Sequence, residues 1–330
     1  MENQTTSLGG KGFVPRAWDT GTQPLVSVVV PTYKSTAFAR ELVRRLLAVF
    51  EGSEYQCEII LVDDASPDAT WETLRSLKDA YPNQIKIVKL LKNSGQHNAI
   101  LCGLNYVSGD IVITMDDDLQ HPPEEIPKLL ETLNQGYDLV IGSYDEKKHS
   151  GYRNLAGGLV DATIRHLYRL PKTLRLTSFR AIRRQLVDVA RKSHSPFPYI
   201  TCALLDQASS VTNVPVRHKD REFGNSSYSL VRSLVLATNL LFSYSFLPIY
   251  LTAAFCGLAG LAALSTLVWI VAKVATGTMA VPGWASIVVV LTFFCSLILA
   301  SLVVIGIYVA RIHHQLSGRK VPFTVDEFHG

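Results

Sequence analysis

Short apolar runs alternate with amphipathic segments along the first half of the chain. The runs are rich in valine and isoleucine and show little polar alternation, which is typical of strands covered on both faces. They predict strands at Leu25–Val30, Glu58–Val62, Ile85–Leu91, Ile111–Met115 and Leu139–Ile141. The intervening segments predict helices at Phe38–Phe50, Thr70–Ala80, Gln96–Val107 and Glu124–Asn134. This alternation predicts an α/β fold with a mainly parallel sheet flanked by helices.

The second half of the chain contains two long uncharged segments. No Asp, Glu, Lys or Arg lies between Arg232 and Lys273, and none lies between Lys273 and Arg311. Within them, Phe246–Val271 and Trp284–Ala310 are each long enough to cross a hydrocarbon layer of about 30 Å. We therefore predict two transmembrane helices. The alternative is a buried helical hairpin in a soluble protein.

The flanking cations predict the orientation of this hairpin. Arg232 precedes the two helices, and Arg311, Arg319 and Lys320 follow them, whereas the loop between them has one lysine. The positive-inside rule therefore places both ends of the hairpin in the cytoplasm. Composition adds little about partners, because the net charge is only +4. The five cysteines show no disulfide or metal-ligand spacing, which fits a reducing compartment.

These patterns divide the chain into five predicted parts. They are a disordered tail at 1–24, a cytoplasmic α/β domain at 25–227, an interfacial helix at 228–245, the transmembrane hairpin at 246–310 and a cytoplasmic tail at 311–330.

Three consecutive carboxylates follow the fourth predicted strand. Because side chains alternate in a strand, Asp116, Asp118 and Gln120 can point one way while Asp117 points the other. Such closely spaced carboxylates repel one another unless a cation or hydrogen bonds compensate them. Two carboxylates and an amide oxygen are hard ligands, suited to Mg²⁺ or Mn²⁺ shared with substrate phosphates. A solvated acidic turn is the alternative.

Other candidate residues follow two further strands. Pro31 and Tyr33 end the first strand and could form a wall of a nucleotide pocket. Asp63 and Asp64 end the second, where a carboxylate can accept hydrogen bonds from a ribose hydroxyl or a base. Ligands of parallel α/β sheets bind beyond the carboxyl ends of the strands, so these residues are predicted to meet the Asp116 run.

Taken together, these motifs resemble the family 2 glycosyltransferases, which have a Rossmann-like GT-A fold. The most similar members are the polyprenyl-phosphate glycosyltransferases, the group of bactoprenol glucosyltransferase, dolichyl-phosphate mannose synthase and undecaprenyl-phosphate aminoarabinose transferase. The matching segments are 28–33, 62–66, 93–99, 115–124 and 221–226. They continue into the two apolar spans, so the resemblance covers most of residues 25–315.

The resemblance implies a role for each candidate residue. It implies that the nucleotide is bound by Pro31, Tyr33, Asp63 and Asp64. It also implies that the metal and the diphosphate are bound by Asp116, Asp118 and Gln120, and that Asp117 lies near the nucleotide sugar. The basic stretch between the sheet and the spans supplies candidate phosphate ligands. We select Arg221, which lies in a matched motif, Arg153, which follows the last core strand, and Lys219. The catalytic set is then Asp116, Asp117, Asp118 and Arg153.

Three positions depart from the usual family pattern. Lys34-Ser35 follow Tyr33 where the family often has Asn-Glu, and no carboxylate precedes the pair Phe179-Arg180. Ser227 stands where a lysine is usual. A sugar hydroxyl needs a general base, whereas a lipid phosphate is already ionised, its second pKa being about 6. The missing carboxylate therefore favours a phosphate acceptor.

We expect a membrane-bound inverting transferase that moves a sugar from a nucleotide diphosphate onto undecaprenyl phosphate. The expected donor is a UDP-sugar. The expected location is the bacterial inner membrane, crossed more than once, with the catalytic domain in the cytoplasm. Expected partners are the nucleotide-sugar donor, the polyprenyl phosphate and the bilayer, and no nucleic acid is expected to bind. The oligomeric state is left open, with a homo-oligomer such as a tetramer as one alternative. The alternatives are a catalytically silent scaffold and a processive polysaccharide synthase.

Overall fold

The structure is a computed structural model. It describes residues 6–7, 23–144, 162–165, 167–168, 170–171, 173–192, 199–217, 238, 242, 247–276, 283–316 and 323–330. Most of the tail predicted at 1–24 and of the interfacial helix predicted at 228–245 lies outside these residues. The chain divides into two compact units. The first contains Met1–Leu236 and Lys320–Gly330, and the second contains Ala237–Arg319.

The first unit is an α/β domain. Its described strands are β1 (Thr6–Ser7), β2 (Leu25–Thr32), β3 (Gln56–Asp63), β4 (Ile85–Leu90), β5 (Ile111–Thr114), β6 (Leu139–Ser143), β7 (Arg180–Arg183), β8 (Ser210–Pro215) and β9 (Val325–His329). Its described helices are α1 (Ala39–Phe50), α2 (Thr70–Ala80), α3 (Gln96–Gly103), α4 (Ile126–Asn134), α5 (Arg184–Ala190) and α6 (Ile200–Leu205). A short 3₁₀ turn, Pro123–Glu125, leads into α4. Every strand and helix predicted for residues 25–143 is present.

Within the described residues the strands form one sheet in the order β1-β8-β6-β7-β5-β2-β3-β4-β9. Strand β2 pairs in parallel with β3 and β5, β3 with β4, and β6 with β8. Strands β1, β7 and β9 are antiparallel to their neighbours. The prediction of a mainly parallel sheet is therefore confirmed, and the parallel strand β8 and the three antiparallel strands are additions to it.

Strand β7 lies between β5 and β6 and determines what reaches the end of β5. Its first residue, Arg180, pairs with Thr114, the last residue of β5. Because the two strands run in opposite directions, the residues just before β7 lie beside the residues just after β5. The Thr114 hydroxyl donates to the Ser178 carbonyl oxygen at 2.7 Å. This hydrogen bond holds the residues before β7 beside the end of β5.

The core forms where the helices cover the sheet. Helix α1 buries Leu42, Val43, Leu46 and Phe50, so its apolar side faces the sheet as its helical period predicts. Central strand residues such as Val28 and Ile59 are fully buried. Burial of a side chain of this size contributes roughly 1.5–3 kcal/mol, so these contacts make a rigid support for the strand ends.

Helix α3 ends at Gly103, four residues earlier than predicted, and it packs directly on the sheet. A Cβ atom at Gly103 would lie 2.5 Å from Val29 Cγ1 and 3.1 Å from Val62 Cγ2. The glycine therefore permits a close approach of α3 to β2 and β3. This approach sets the position of the first turn of α3, which begins at Gln96.

Residues predicted to be part of a C-terminal tail contain a strand. Strand β9 pairs with β4, and the Leu91 amide donates to the Thr324 carbonyl oxygen at 2.8 Å. The ring of Phe328 stacks on Tyr106 with centroids 4.4 Å apart. The C-terminal residues thus cover the edge of the sheet beside β4, a contact that the polar Asp326-Glu327 pair did not predict.

The second unit contains two long helices, α7 (Leu247–Ala275) and α8 (Trp284–Leu316). Their most apolar windows, Leu247–Thr266 and Phe293–Ala310, have mean hydropathies of 1.9 and 2.5. Only 12% of the first window and none of the second is buried within protein. Both helices are long and apolar enough to cross a membrane, and their exposure differs from that of a buried soluble hairpin.

Replacing Gly103 with Ala tests the close packing of α3. The added methyl group overlaps Val29, and such overpacking costs about 1–3 kcal/mol, against a helix-propensity gain of about 1 kcal/mol. We expect a lower midpoint of thermal unfolding, measured by intrinsic fluorescence in detergent. Gly257→Ala in α7 is the control, because its Cβ meets no described atom within 4 Å. Equal midpoints for Gly103→Ala and the wild type would contradict the packing argument.

Candidate active site

Polar side chains from five elements meet at one edge of the sheet. Strands β2, β3 and β5 end there, α3 begins there, and the residues before β7 reach it from the other side of β5. The carboxyl ends of parallel strands carry few side chains that are committed to the core, so this edge is where α/β proteins form their sites. The residues concerned are Tyr33, Ser35, Asp63, Asp64, Gln96, Asp116, Asp117, Asp118 and Ser178.

Asp116 is held by two neutral donors. The Gln96 amide nitrogen Nε2 donates to Asp116 Oδ1 at 2.5 Å. The Ser178 hydroxyl donates to Asp116 Oδ2 at 2.6 Å. Each carboxylate oxygen has a second lone pair, so these bonds fix the direction of the carboxylate without exhausting its capacity to accept.

Asp117 points to different neighbours. Its Oδ2 accepts hydrogen bonds from the Tyr33 amide at 3.3 Å and from the Ser35 hydroxyl. Burial raises the pKa of Asp117 to about 6, the Ser35 hydrogen bond opposes this shift, and the charge of Asp116 adds to it. The first two carboxylates of the run therefore have different neighbours, Gln96 and Ser178 for Asp116 and the loop after β2 for Asp117.

Asp118 and Gln120 form a tight turn after β5. The Gln120 amide donates to Asp118 Oδ1 at 3.2 Å, and Leu119 between them has φ +58°. Within the described residues, no group of three or more His, Cys, Asp or Glu side chains is arranged to hold a metal ion. The carboxylates of Asp116 and Asp118 and the amide of Gln120 are nevertheless hard oxygen donors. This donor set fits Mg²⁺ or Mn²⁺ when substrate oxygens complete it.

The two aspartates at the end of β3 have different surroundings. Asp63 is fully buried and accepts from the Ser66 amide at 3.2 Å, and burial raises its pKa. Asp64 instead accepts from the Ser94 amide at 2.6 Å and the Gly95 amide at 2.8 Å. Asp64 therefore fixes the turn that presents Gln96. Contact of either aspartate with a nucleoside stays a prediction.

The loop after β2 is tied to the loop after β3. The Lys34 amide donates to the Ser66 hydroxyl at 3.0 Å, and the Ser35 amide donates to the Thr70 hydroxyl at 2.8 Å. Lys34 has φ +57°, so the chain turns sharply here. Tyr33 is 46% exposed, and Lys34 Nζ lies 5.4 Å from the centroid of its ring.

Arg180 lies behind the aspartates and is 4% exposed. Its Nε donates to the Thr177 carbonyl oxygen at 2.6 Å, and its Nη2 donates to the Thr201 hydroxyl at 2.8 Å. No hydrogen-bond partner for Nη1 is present among the described residues. Burial lowers the pKa of Arg180, and the charge of Asp116 counteracts this. The guanidinium therefore supplies positive charge behind the acidic run.

His97 follows Gln96 in the first turn of α3. Its ring packs against Tyr199, with centroids 4.2 Å apart, and its Nδ1 is shielded from solvent without a hydrogen-bond partner in the described residues. Burial, followed by the charge of Arg180, lowers the pKa of His97 to about 4. The ring is thus neutral at physiological pH and has a packing role.

The structure brings together most of the predicted site residues and adds three. Arg153, Lys219, Arg221 and Ser227 lie outside the described residues. The added residues are Ser35, Gln96 and Ser178, which contact the aspartates directly. The sequence marked Ser35 and the lack of an acid near Ser178 as departures from a pattern, but it gave no sign that their hydroxyl groups meet the aspartates.

Comparison with known proteins gives the family. The profile of glycosyl transferase family 2 matches residues 27–208. The undecaprenyl-phosphate 4-deoxy-4-formamido-L-arabinose transferase of Edwardsiella ictaluri is 31% identical over 307 residues, which cover 91% of this chain and 93% of that protein. The enzyme of the same name from Erwinia tasmaniensis is 38% identical over 226 residues, covering 68% and 70%.

The chain belongs to glycosyl transferase family 2. It is therefore a glycosyltransferase, as its motifs predicted, and a silent scaffold is not favoured. Glucosyl-3-phosphoglycerate synthase from Mycobacterium tuberculosis, solved with Mn²⁺ and UDP-glucose, has a TM-score of 0.50 at 20% identity, covering 67% of this chain and 79% of that one. At this identity the likeness concerns the fold alone, and it agrees with the predicted GT-A fold.

The low pKa of His97 predicts a pH-dependent stability. The unfolded chain protonates this histidine near pH 6.5, whereas the native state resists protonation down to about pH 4. The unfolded state therefore binds more protons in this window, and stability falls as the pH drops from 6.5 to 4. Allowing for the partly exposed ring, we expect a loss of about 2 kcal/mol from this group.

Replacing His97 with Asn removes the titrating group. We expect the unfolding midpoint of the variant to decline less between pH 6.5 and pH 4 than that of the wild type, measured by fluorescence in detergent. Measurements at pH 7.5 provide the control, because the imidazole is mostly neutral there in both states. Parallel declines in the two proteins would contradict the assignment.

Proposed function

We propose that the protein is a membrane-bound inverting glycosyltransferase that moves a sugar from a nucleotide diphosphate onto undecaprenyl phosphate or a related polyprenyl phosphate. The donor is a UDP-sugar. The observation that carries the proposal is the group of aspartates fixed at the carboxyl end of the sheet in a chain that also has two helices of membrane-spanning length. The transferases of Edwardsiella and Erwinia, whose name specifies undecaprenyl phosphate, support the choice of acceptor.

In this proposal, Asp116, Asp118 and Gln120 hold Mg²⁺ or Mn²⁺. A divalent ion at this position neutralises charge on the leaving nucleoside diphosphate. The hydrogen bonds to Asp116 orient its carboxylate before any ligand binds, which lowers the cost of forming the site. The Mn²⁺ present in the solved synthase from Mycobacterium supports this assignment.

The nucleotide part of the donor lies on the β2 and β3 side of the site. The exposed ring of Tyr33 offers a surface for a base to stack on, and Pro31 fixes the strand end that carries it. Asp63 and Asp64 complete this side. The hydrogen bonds between the loops after β2 and β3 keep these residues together without a ligand.

The chemistry of the acceptor agrees with the residues around Asp116. A phosphate is already ionised near neutral pH, so the protein has to position it and does not have to deprotonate it. Ser178 is a hydrogen-bond donor to Asp116 at a place where the family often has an acid. The proposed cations for the acceptor phosphate are Arg153, Lys219 and Arg221.

The proposed location is the cytoplasmic face of a bacterial inner membrane. The chain leaves the first unit before the two long helices and returns to it afterwards, so both ends of the hairpin connect to the same domain. This connectivity agrees with both ends of the hairpin lying on one side of the membrane, and the flanking cations make that side the cytoplasm. The catalytic domain at 25–227, the interfacial helix at 228–245 and a homo-oligomer such as a tetramer belong to the same proposal.

Turnover by membranes that contain the protein tests the proposal. With undecaprenyl phosphate, Mn²⁺ or Mg²⁺ and a panel of radiolabelled nucleotide sugars, we expect one donor to give a labelled lipid that partitions into organic solvent. The label should be released by mild acid, as expected for a sugar phosphate. Removal of the metal with EDTA should abolish transfer, and added Mn²⁺ should restore it, because the leaving diphosphate needs a counter-charge.

Replacing Asp118 with Ala should reduce this transfer at least a hundredfold, because it removes a proposed metal ligand. Asp79→Ala is the control, since Asp79 lies exposed on α2, away from the strand ends. Full activity of Asp118→Ala would rule out the metal assignment. Long polymer as the product would instead support a processive synthase.

A further inference from the structure

Ser178 is fixed on both sides before its hydroxyl reaches Asp116. Its carbonyl oxygen accepts from the Thr114 hydroxyl at the end of β5, at 2.7 Å. The hydroxyl of the preceding residue, Thr177, donates to the Gly142 carbonyl oxygen in β6, also at 2.7 Å. The backbone at Ser178 is thus held between two strands, and the position of its hydroxyl follows from this.

Gln96 reaches Asp116 from a different element. Its helix begins after Gly95, which has φ +90°, and the Asp64 carboxylate holds the amides of Ser94 and Gly95. The Gln96 side chain then donates to Asp116 Oδ1 while Ser178 donates to Oδ2. The two oxygens of the Asp116 carboxylate therefore each accept a hydrogen bond from a donor whose backbone is fixed, one on α3 and one just before β7.

The type of donor matters for the charge of the site. Asp117 and Asp118 already lie beside Asp116, and an acidic side chain at position 178 would add a fourth charge against the same carboxylate. Like charges this close repel one another unless a cation or hydrogen bonds compensate them. A hydroxyl and an amide orient Asp116 without adding negative charge beside it.

We propose that Ser178 and Gln96 are positioning residues that direct the Asp116 carboxylate at the divalent metal of the donor complex. The inference rests on the proposed function and assigns residues that act through Asp116. Donors that orient a metal ligand usually matter almost as much as the ligand, and their loss weakens metal binding about 10- to 100-fold.

Direct metal binding tests this inference without turnover. Mn²⁺ binding to the full-length protein in detergent, with UDP present, can be followed from the electron paramagnetic resonance signal of free Mn²⁺. We expect Ser178→Ala to weaken Mn²⁺ binding about tenfold or more, and Ser178→Thr, which keeps the hydroxyl, to stay within about threefold of the wild type. Gln96→Ala should weaken binding in the same way.

Ser53→Ala is the matched control. The Ser53 hydroxyl also makes a hydrogen bond, to the Tyr55 carbonyl oxygen, but it lies before β3, at the opposite end of that strand from Asp63. It should bind Mn²⁺ like the wild type. The unfolding midpoint of each variant shows whether the protein is folded. If Ser178→Ala does not fold, Gln96→Ala decides the question, because Gln96 is exposed and its replacement leaves the core intact.

The outcomes separate this inference from the proposed function. Wild-type affinity in both Ser178→Ala and Gln96→Ala would overturn the positioning role, whatever the acceptor is. Absence of saturable Mn²⁺ binding by the wild type would overturn the metal site and the positioning role together. Weakened binding in the variants, with a wild type that binds Mn²⁺ but transfers no sugar to a polyprenyl phosphate, would support the positioning role and overturn only the acceptor.

Discussion

Repulsion between carboxylates at one edge of the sheet is the constraint on which the site depends. Five aspartates lie at or just after the ends of β3 and β5, and a protein can keep such a group ionised only with compensating donors or cations. Among the described residues, neutral groups supply part of this compensation, namely backbone amides for Asp63 and Asp64, and hydroxyl and amide side chains for Asp116 and Asp117. The buried guanidinium of Arg180 adds positive charge behind them.

This arrangement links the fold to the chemistry. The hydroxyl and amide donors come from loops and elements that approach the aspartates from different directions, so each donor depends on a separate packing contact. Gln96 depends on the close approach of α3 at Gly103, and Ser178 depends on the pairing of β7 with β5. The geometry of the carboxylates is therefore a property of the whole sheet edge.

Much of the fold could be predicted because the central strands are continuous valine and isoleucine runs. Strands β7 and β9 escaped prediction for a physical reason. The first, Arg180–Arg183, has an arginine at each end, and the second contains Asp326 and Glu327. Neither has an apolar pattern of its own, and both become strands by pairing with distant partners, which no local window of sequence reveals.

The residues of the candidate site were likewise predicted only in part. The rule that ligands bind at strand ends located Asp63, Asp64 and the run at Asp116, because carboxylates after an apolar run are conspicuous. Ser35, Gln96 and Ser178 were not assigned a role, since hydroxyl and amide side chains occur throughout the chain. The pairing of β7 selects Ser178, the turn that Asp64 holds selects Gln96, and the loop after β2 brings Ser35 to Asp117.

Strand β9 has a consequence for the order of events during synthesis. It follows both long helices in the chain, yet its partner β4 precedes them. The edge of β4 therefore stays open on the growing chain until both helices have left the ribosome. An unpaired strand edge readily pairs with other chains, so the nascent sheet is exposed to aggregation until the C-terminal residues have been synthesised.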